Sequence, residues 1–157
     1  MSLESVRAFL AEFAPDVEIL QPGGETSSVA LAAAALGVLP AQIAKTLSLS
    51  AAGRNLLVVT RGDARLDNRK AKAQFGGKVS MLGPEEVLRV TGHAIGAVCP
   101  FGLATPVQVY CDRSLLAFAE VVPAAGDTRS ALRIAPRRMA ELVKAEWVDV
   151  CQDPEGA

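Results

Sequence analysis

The sequence predicts a mixed α/β fold, a mainly antiparallel sheet or partly closed barrel with helices packed around it. Three observations lead there. Strand-like and helix-like segments interleave without the regular βαβ period of a parallel sheet. Residues 45–60 carry a hairpin signature, two apolar runs joined across Ala51-Ala52-Gly53-Arg54-Asn55. Several of the remaining short strand pairs read as antiparallel, which suits a sheet or barrel wrapped by helices.

The elements follow in order. Leu3, Val6, Phe9, Leu10 and Phe13 recur at helical spacing and Pro15 closes the run, so 2–13 is an amphipathic helix. Residues 17–20 form a short strand, ended by Pro22-Gly23-Gly24. Thr26-Ser27-Ser28 offers hydroxyl N-caps to an Ala/Leu helix over 29–36, and Gly37 stands at its C-cap. A turn of helix follows at 40–44. Residues 45–50 alternate with period two and place Lys45 on the same face as Leu47 and Leu49, the core face. Either the lysine sits at a strand end and snorkels to water, or the face opens there into a pocket. Asp67 caps a helix over 68–75, ended by Gly76-Gly77. A strand at 79–82, a helix at 84–90, strands at 107–111, 118–122 and 132–135, a helix at 136–144 and a strand at 147–150 complete the set. The polar tail 152–157 is expected to fray.

Composition bounds the function. The chain has 157 residues, half of them apolar, and reads as one domain over 1–157 with a real core. No run reaches membrane-span length and no leader pattern opens the chain, so the expected location is the cytoplasm. Cys99, Cys111 and Cys151 form no CxxC pair and His93 is the lone histidine, so neither a metal site nor a cofactor is expected. Net charge is −1, yet Arg61, Arg65, Arg69, Lys70, Lys72 and Lys78 crowd one stretch. Such a patch is a solvated face or a phosphate-binding surface.

The chemistry centres on Gly96-Ala97-Val98-Cys99-Pro100-Phe101-Gly102. Two glycines and a proline prescribe a rigid turn, and the N–H groups of Ala97, Val98 and Cys99 have no evident ladder partner. A tight connection is one reading. The other is a set of donors for a substrate carbonyl. His93 and Cys99 could form a thiolate pair, although buried cysteines are commonly inert. No GxSxG elbow, Walker loop or dinucleotide fingerprint is present.

Residues 30–47 carry A-x-x-L-G-V-x-P-x-Q-I-A-K-T-L, residues 91–102 read T-G-H-A-I-G-A-V-C-P-F-G, and A-P-x-x-M-A-E-L-V follows at 135–143. Together these resemble the YbaK/EbsC family of freestanding aminoacyl-tRNA deacylases, related to the editing domain of bacterial prolyl-tRNA synthetases. The resemblance implies a YbaK-like fold and trans-editing, the hydrolysis of a mischarged aminoacyl-tRNA, most often tRNA(Pro). Prolyl-tRNA synthetase is the implied protein partner. It assigns the central role to Lys45 with Gly96 and Ala97, holding the 3′ end and the ester carbonyl while the substrate's ribose hydroxyl activates water. Thr46, Val98, Cys99, Pro100, Phe101 and Gly126 are the expected substrate contacts. Arg69, Lys70 and Lys72 are the expected tRNA contacts. The commoner family loop is G-G-[IV]-S-P. The G-A-V-x-P form here resembles the branch that clears alanine or other small residues, leaving alanine, 2-aminobutyrate, serine, threonine and cysteine as candidates. A non-catalytic tRNA- or synthetase-binding module of the same fold is the alternative, which a cleft blocked by Phe101 or Tyr110 would favour.

Overall fold

A computed structural model describes residues 2–153. Its centre is the hairpin of β1 (Ile43–Ala51) and β2 (Arg54–Arg61), in register from Ala44↔Arg61 to Ala51↔Arg54. Ala52 and Gly53 both take positive φ (51° and 78°), the two-residue turn whose twist matches paired strands. Beyond β2 the sheet continues in parallel through β4 (Gln108–Asp112) and β6 (Glu146–Val148). On its other edge β1 pairs antiparallel with β3 (Ser80–Met81) and, at its start, parallel with β5 (Val122–Pro123). The isolated bridges are antiparallel too. The result is an open, mixed sheet of six strands whose longest pairing is antiparallel, as the sequence predicts.

Helices cover both faces of this sheet. Ala44, Leu57, Val59, Val109 and Cys111 form one face of the core with residues of α1 (Ser2–Phe13) and α5 (Pro136–Leu142). Leu49, Leu56, Val58 and Tyr110 form the opposite face with Ala71 and Phe75 of α3 (Asn68–Phe75). A smaller cluster joins α2 (Val29–Leu36) to Ile43, Val122 and Ala131. The last helix, α4 (Pro84–Thr91), leads into the glycine-rich loop. Local chemistry sets these helices. Ser28 Oγ accepts from Leu31 N–H, Asp67 accepts from Arg69 and Lys70 N–H, and prolines open α4 and α5.

Three expected strands do not form. The segments 17–20, 118–122 and 132–135 meet the rest of the chain mainly through isolated bridges, Leu20↔Ala131, Val121↔Ile134 and Ala124↔Ala131. Of the 118–122 run only Val122 enters a strand, because the preceding stretch Arg113–Ala117 winds into a 3₁₀ turn capped by Asp112. Apolar content alone does not distinguish these wrapped segments from strands. The tail also departs from expectation. Gln152 N–H donates to Arg65 O at 2.8 Å and Asp153 accepts from Lys70 at 3.1 Å, so both are tied down. Residues 154–157 of the expected frayed tail lie outside the described residues.

The N-terminus of α1 sits against two glycines. A Cβ at Gly102 would lie 2.5 Å from Ser5 O, and one at Gly126 would lie 2.6 Å from Ser2 O. Both glycines hold positive φ (59° and 101°), so no other residue fits there without moving the helix.

A cleft at the open edge of the sheet

Between β5 and β3 the outer edge of β1 has no partner strand among the described residues. β5 stops at the level of Ala44 and β3 begins at Leu49. Ser48 O faces this edge, where it accepts from Leu82 N–H at 3.0 Å. Strand peptides alternate sides, so the N–H and C=O of Thr46 face the same edge, beside no strand. Thr46 Oγ1 is also buried and without a hydrogen-bond partner among the described residues. Buried polar groups are ordinarily paired, so this hydroxyl stands apart from the rest of the buried side chains.

The gap opens into a cleft of about 270 Å³. Its floor is small and apolar, with Ala32, Ile43, Val122 and Ala131 from the α2 cluster. Ser27 and Ser28 line it at the N-cap of α2, and Gly96 and Val98 bring the glycine-rich loop up beside them. Among the described residues no Asp or Glu lines the cleft. Lys45 also contributes to the wall, but its ammonium donates to Ala64 O at 2.6 Å. Ala64 belongs to a neighbouring polar cavity with Asp63 and Arg65, so Lys45 stands between two depressions. Partial burial lowers its pKa from the usual lysine value, and nearby Asp63 works against that.

Gly96 holds φ +90°, and an added Cβ would sit 3.3 Å from Ser27 Cβ. This close approach brings the loop against the N-cap of α2. Ala97 N–H, expected to be available, donates to Ala94 O at 2.9 Å and closes the turn. Val98 and Cys99 N–H make no protein hydrogen bond among the described residues.

The other sequence candidates separate. Ala97 is buried behind the cleft wall, and Cys99 and Phe101 point into the α1 core, where Phe101 lies 6.0 Å from Phe9 between ring centroids. Pro100 faces a different groove, and Gly126 is occupied by the α1 backbone. None of these five residues lines the cleft, because loop and helix packing draw them away from it. Tyr110 packs on Phe75 in the opposite core, so neither it nor Phe101 blocks the opening.

Cys99 Sγ lies 3.6 Å from His93 Nε2, which joins the two residues of the expected thiolate pair. Burial, however, pushes the thiol up to about 12 and lowers the imidazole's pKa. A buried neutral thiol beside a neutral ring is not a nucleophile in waiting.

Of the basic residues, Lys70 is spent on Asp149, Asp153 and the Cys151 carbonyl. Arg69 and Lys72 of the same helix make no ion pair among the described residues. The sequence missed the hydroxyls of Ser27 and Ser28 as cleft residues, having read them as caps alone. Their position after Gly23-Gly24 was the available signal. No helix among the described residues is long and apolar enough to cross a membrane.

The family model for an aminoacyl-tRNA editing domain matches residues 24–142. The uncharacterized protein YwhH of Bacillus subtilis (strain 168) is 42% identical over 157 residues, covering 99% of this chain and all of that protein. A proline–tRNA ligase of Bacillus licheniformis is 33% identical over 97 residues, 61% of this chain and 17% of the ligase. The chain thus spans less than a fifth of that synthetase. A crystal structure described as a candidate trans-editing enzyme for prolyl-tRNA synthetase superposes with a TM-score of 0.89 at 32% identity, covering 97% of this chain and 98% of its own.

Proposed function

The chain belongs to the aminoacyl-tRNA editing domain family, and on that premise we propose that it hydrolyses the ester of a mischarged aminoacyl-tRNA in trans. The substrate is tRNA(Pro) carrying a small, uncharged non-cognate amino acid. The observation that carries this reading is the unpartnered Thr46 at the open edge of β1, facing a cleft that Gly96 and Val98 close from the other side.

The aminoacyl group enters over the small apolar floor, where no carboxylate awaits a basic side chain. The ester carbonyl lies between Thr46 and the loop, within reach of the Val98 and Cys99 N–H groups, which stabilise the developing oxyanion. Water adds to the carbonyl carbon, the ester C–O bond breaks, and the electron pair leaves with the ribose oxygen. The products are a free amino acid and a tRNA 3′ hydroxyl. The vicinal ribose hydroxyl orients the water, so no protein nucleophile is needed. Lys45 leaves Ala64 O to hold the 3′-terminal phosphate, a move eased by its partial desolvation. Arg69 and Lys72 then add salt-dependent phosphate contacts. Prolyl-tRNA synthetase is the partner from which the tRNA would be received, and the cytoplasm is the place where the two would meet.

The test is release of amino acid from tRNA(Pro) charged in turn with alanine, 2-aminobutyrate, serine, threonine, cysteine and proline. Preferential cleavage of one or more small non-cognate esters supports the reading. If tRNA binds but no ester is cleaved, the chain acts as a binding module and the proposal falls.

A further inference from the structure

We propose that His93 is the positioning residue of the cleft loop, an imidazole brace that fixes residues 94–100 and ties them to α1. Its catalytic consequence rests on the editing function proposed above, but its geometry does not.

The ring is fully buried. Nε2 lies 2.8 Å from Phe101 O, and a carbonyl only accepts, so Nε2 carries the proton. Nδ1 is then a lone-pair acceptor, filled by the Ser2 hydroxyl at 2.5 Å. The backbone of His93 is anchored as well, its N–H donating to Thr91 Oγ1 at 3.0 Å. Thr91 in turn donates to Val87 O at 2.7 Å within α4.

The consequence is a closed base to the loop. One side of the ring belongs to the end of α4, and the other holds the peptide eight residues later. Within the loop the one backbone hydrogen bond is Ala97 N–H to Ala94 O. Gly96 and Val98, which meet the cleft, therefore take their positions from the two ends of the segment and from the contact of Gly96 with Ser27. One end is His93 after α4, the other is Cys99 and Phe101 rooted in the core, and the imidazole bond joins the two. Ser2 reaches the ring because Gly102 and Gly126 let the α1 backbone approach closely. It also lies ahead of residues 24–142, so the brace couples the matched editing domain to a helix outside that match. Filling the space with an apolar side chain would satisfy packing. Holding a carbonyl and a hydroxyl at once requires a donor and an acceptor on one side chain, which the two ring nitrogens supply.

The experiment compares His93→Leu, His93→Gln, His93→Asn and Ser2→Ala by kcat and KM on the best ester of the panel. Amide exchange of residues 94–101 is followed in the free protein. Gln can place an N–H where Nε2 was, whereas Asn is too short to reach Phe101 O. His93→Leu is expected to lower kcat by about 10–100-fold with KM changed less than threefold, as for displacement of positioned groups by about 1 Å. His93→Gln should recover most of that loss, and His93→Asn should not. Exchange at 94–101 should accelerate in the Leu and Asn variants and much less in Gln, with Ser2→Ala intermediate. Wild-type exchange and kcat in His93→Leu overturn the proposal. If that variant does not fold, equal exchange in the Gln and Asn variants does so. Should the wild type cleave no ester, the editing reading fails, and the exchange data alone decide whether the brace exists.

Discussion

Replacing Lys45 by methionine removes the ammonium while keeping most of its unbranched stem. In the free protein this deletes one charge-assisted hydrogen bond, the 2.6 Å contact to Ala64 O. Such bonds contribute about 1.5–3 kcal/mol when well buried. Partial exposure here reduces that to about 1–2 kcal/mol. For a chain of this size the melting temperature should fall by about 2–8 °C. Against an ordinary stability of about 5–15 kcal/mol, more than ~99% of molecules remain folded at 25 °C. Loss of fold therefore cannot remove more than a few per cent of activity. Loss of a cation that holds the substrate's charge in place should lower deacylation by about 10²–10³-fold. The assay is single-turnover deacylation of mischarged tRNA(Pro), with a thermal melt in the same buffer. A Lys45→Met protein that deacylates within threefold of wild type refutes the assignment, whatever its melting temperature.

Four further outcomes are expected. Reversing Arg69 and Lys72 should weaken tRNA binding and flatten the slope of log K against log salt by about 0.7–0.9 per lost phosphate contact. Lys70→Ala should leave that slope unchanged while lowering the melting temperature, because Lys70 is held by Asp149, Asp153 and Cys151 O. All three cysteines should resist iodoacetamide in the native protein, since burial pushes each thiol up to about 12; fast labelling of Cys99 with loss of deacylation would restore the thiol mechanism. The pKa of His93 is lowered by burial, so the unfolded chain binds the proton first. Its contribution to stability is present above the ordinary imidazole value of about 6.5 and declines as pH falls from there toward the folded-state value. Urea midpoints from pH 8 to 5 should show this decline in wild type and less of it in His93→Gln; parallel curves for the two would contradict it.

Much of the scaffold was legible because it is set by neighbours in sequence. Ser28 and Asp67 cap helices a few residues away, the 45–60 hairpin carries its own turn, and Gly96 and Gly102 mark a backbone that bends. Lys45 was visible as a misplaced cation, because strand alternation puts it beside Leu47 and Leu49. The same local logic fails for 17–20, 118–122 and 132–135. Their apolar residues are buried by wrapping around the sheet, a choice made by α2 and by the 3₁₀ turn after β4.

By itself, then, the sequence determined the helices with their caps, the central hairpin, the bent loop and the lysine on the apolar face of its strand, since each depends on contacts within a few residues. Only the tertiary structure decided what these become. The Thr46 peptide faces no strand because β5 and β3, contributed by distant parts of the chain, stop on either side of it. Cys99 and Phe101 face the core because α1 rests on Gly102 and Gly126. Lys70 is held by Asp149 and Asp153 from the far end of the chain. A cleft at an edge left open is defined by what long-range packing does not cover, and no local pattern encodes that.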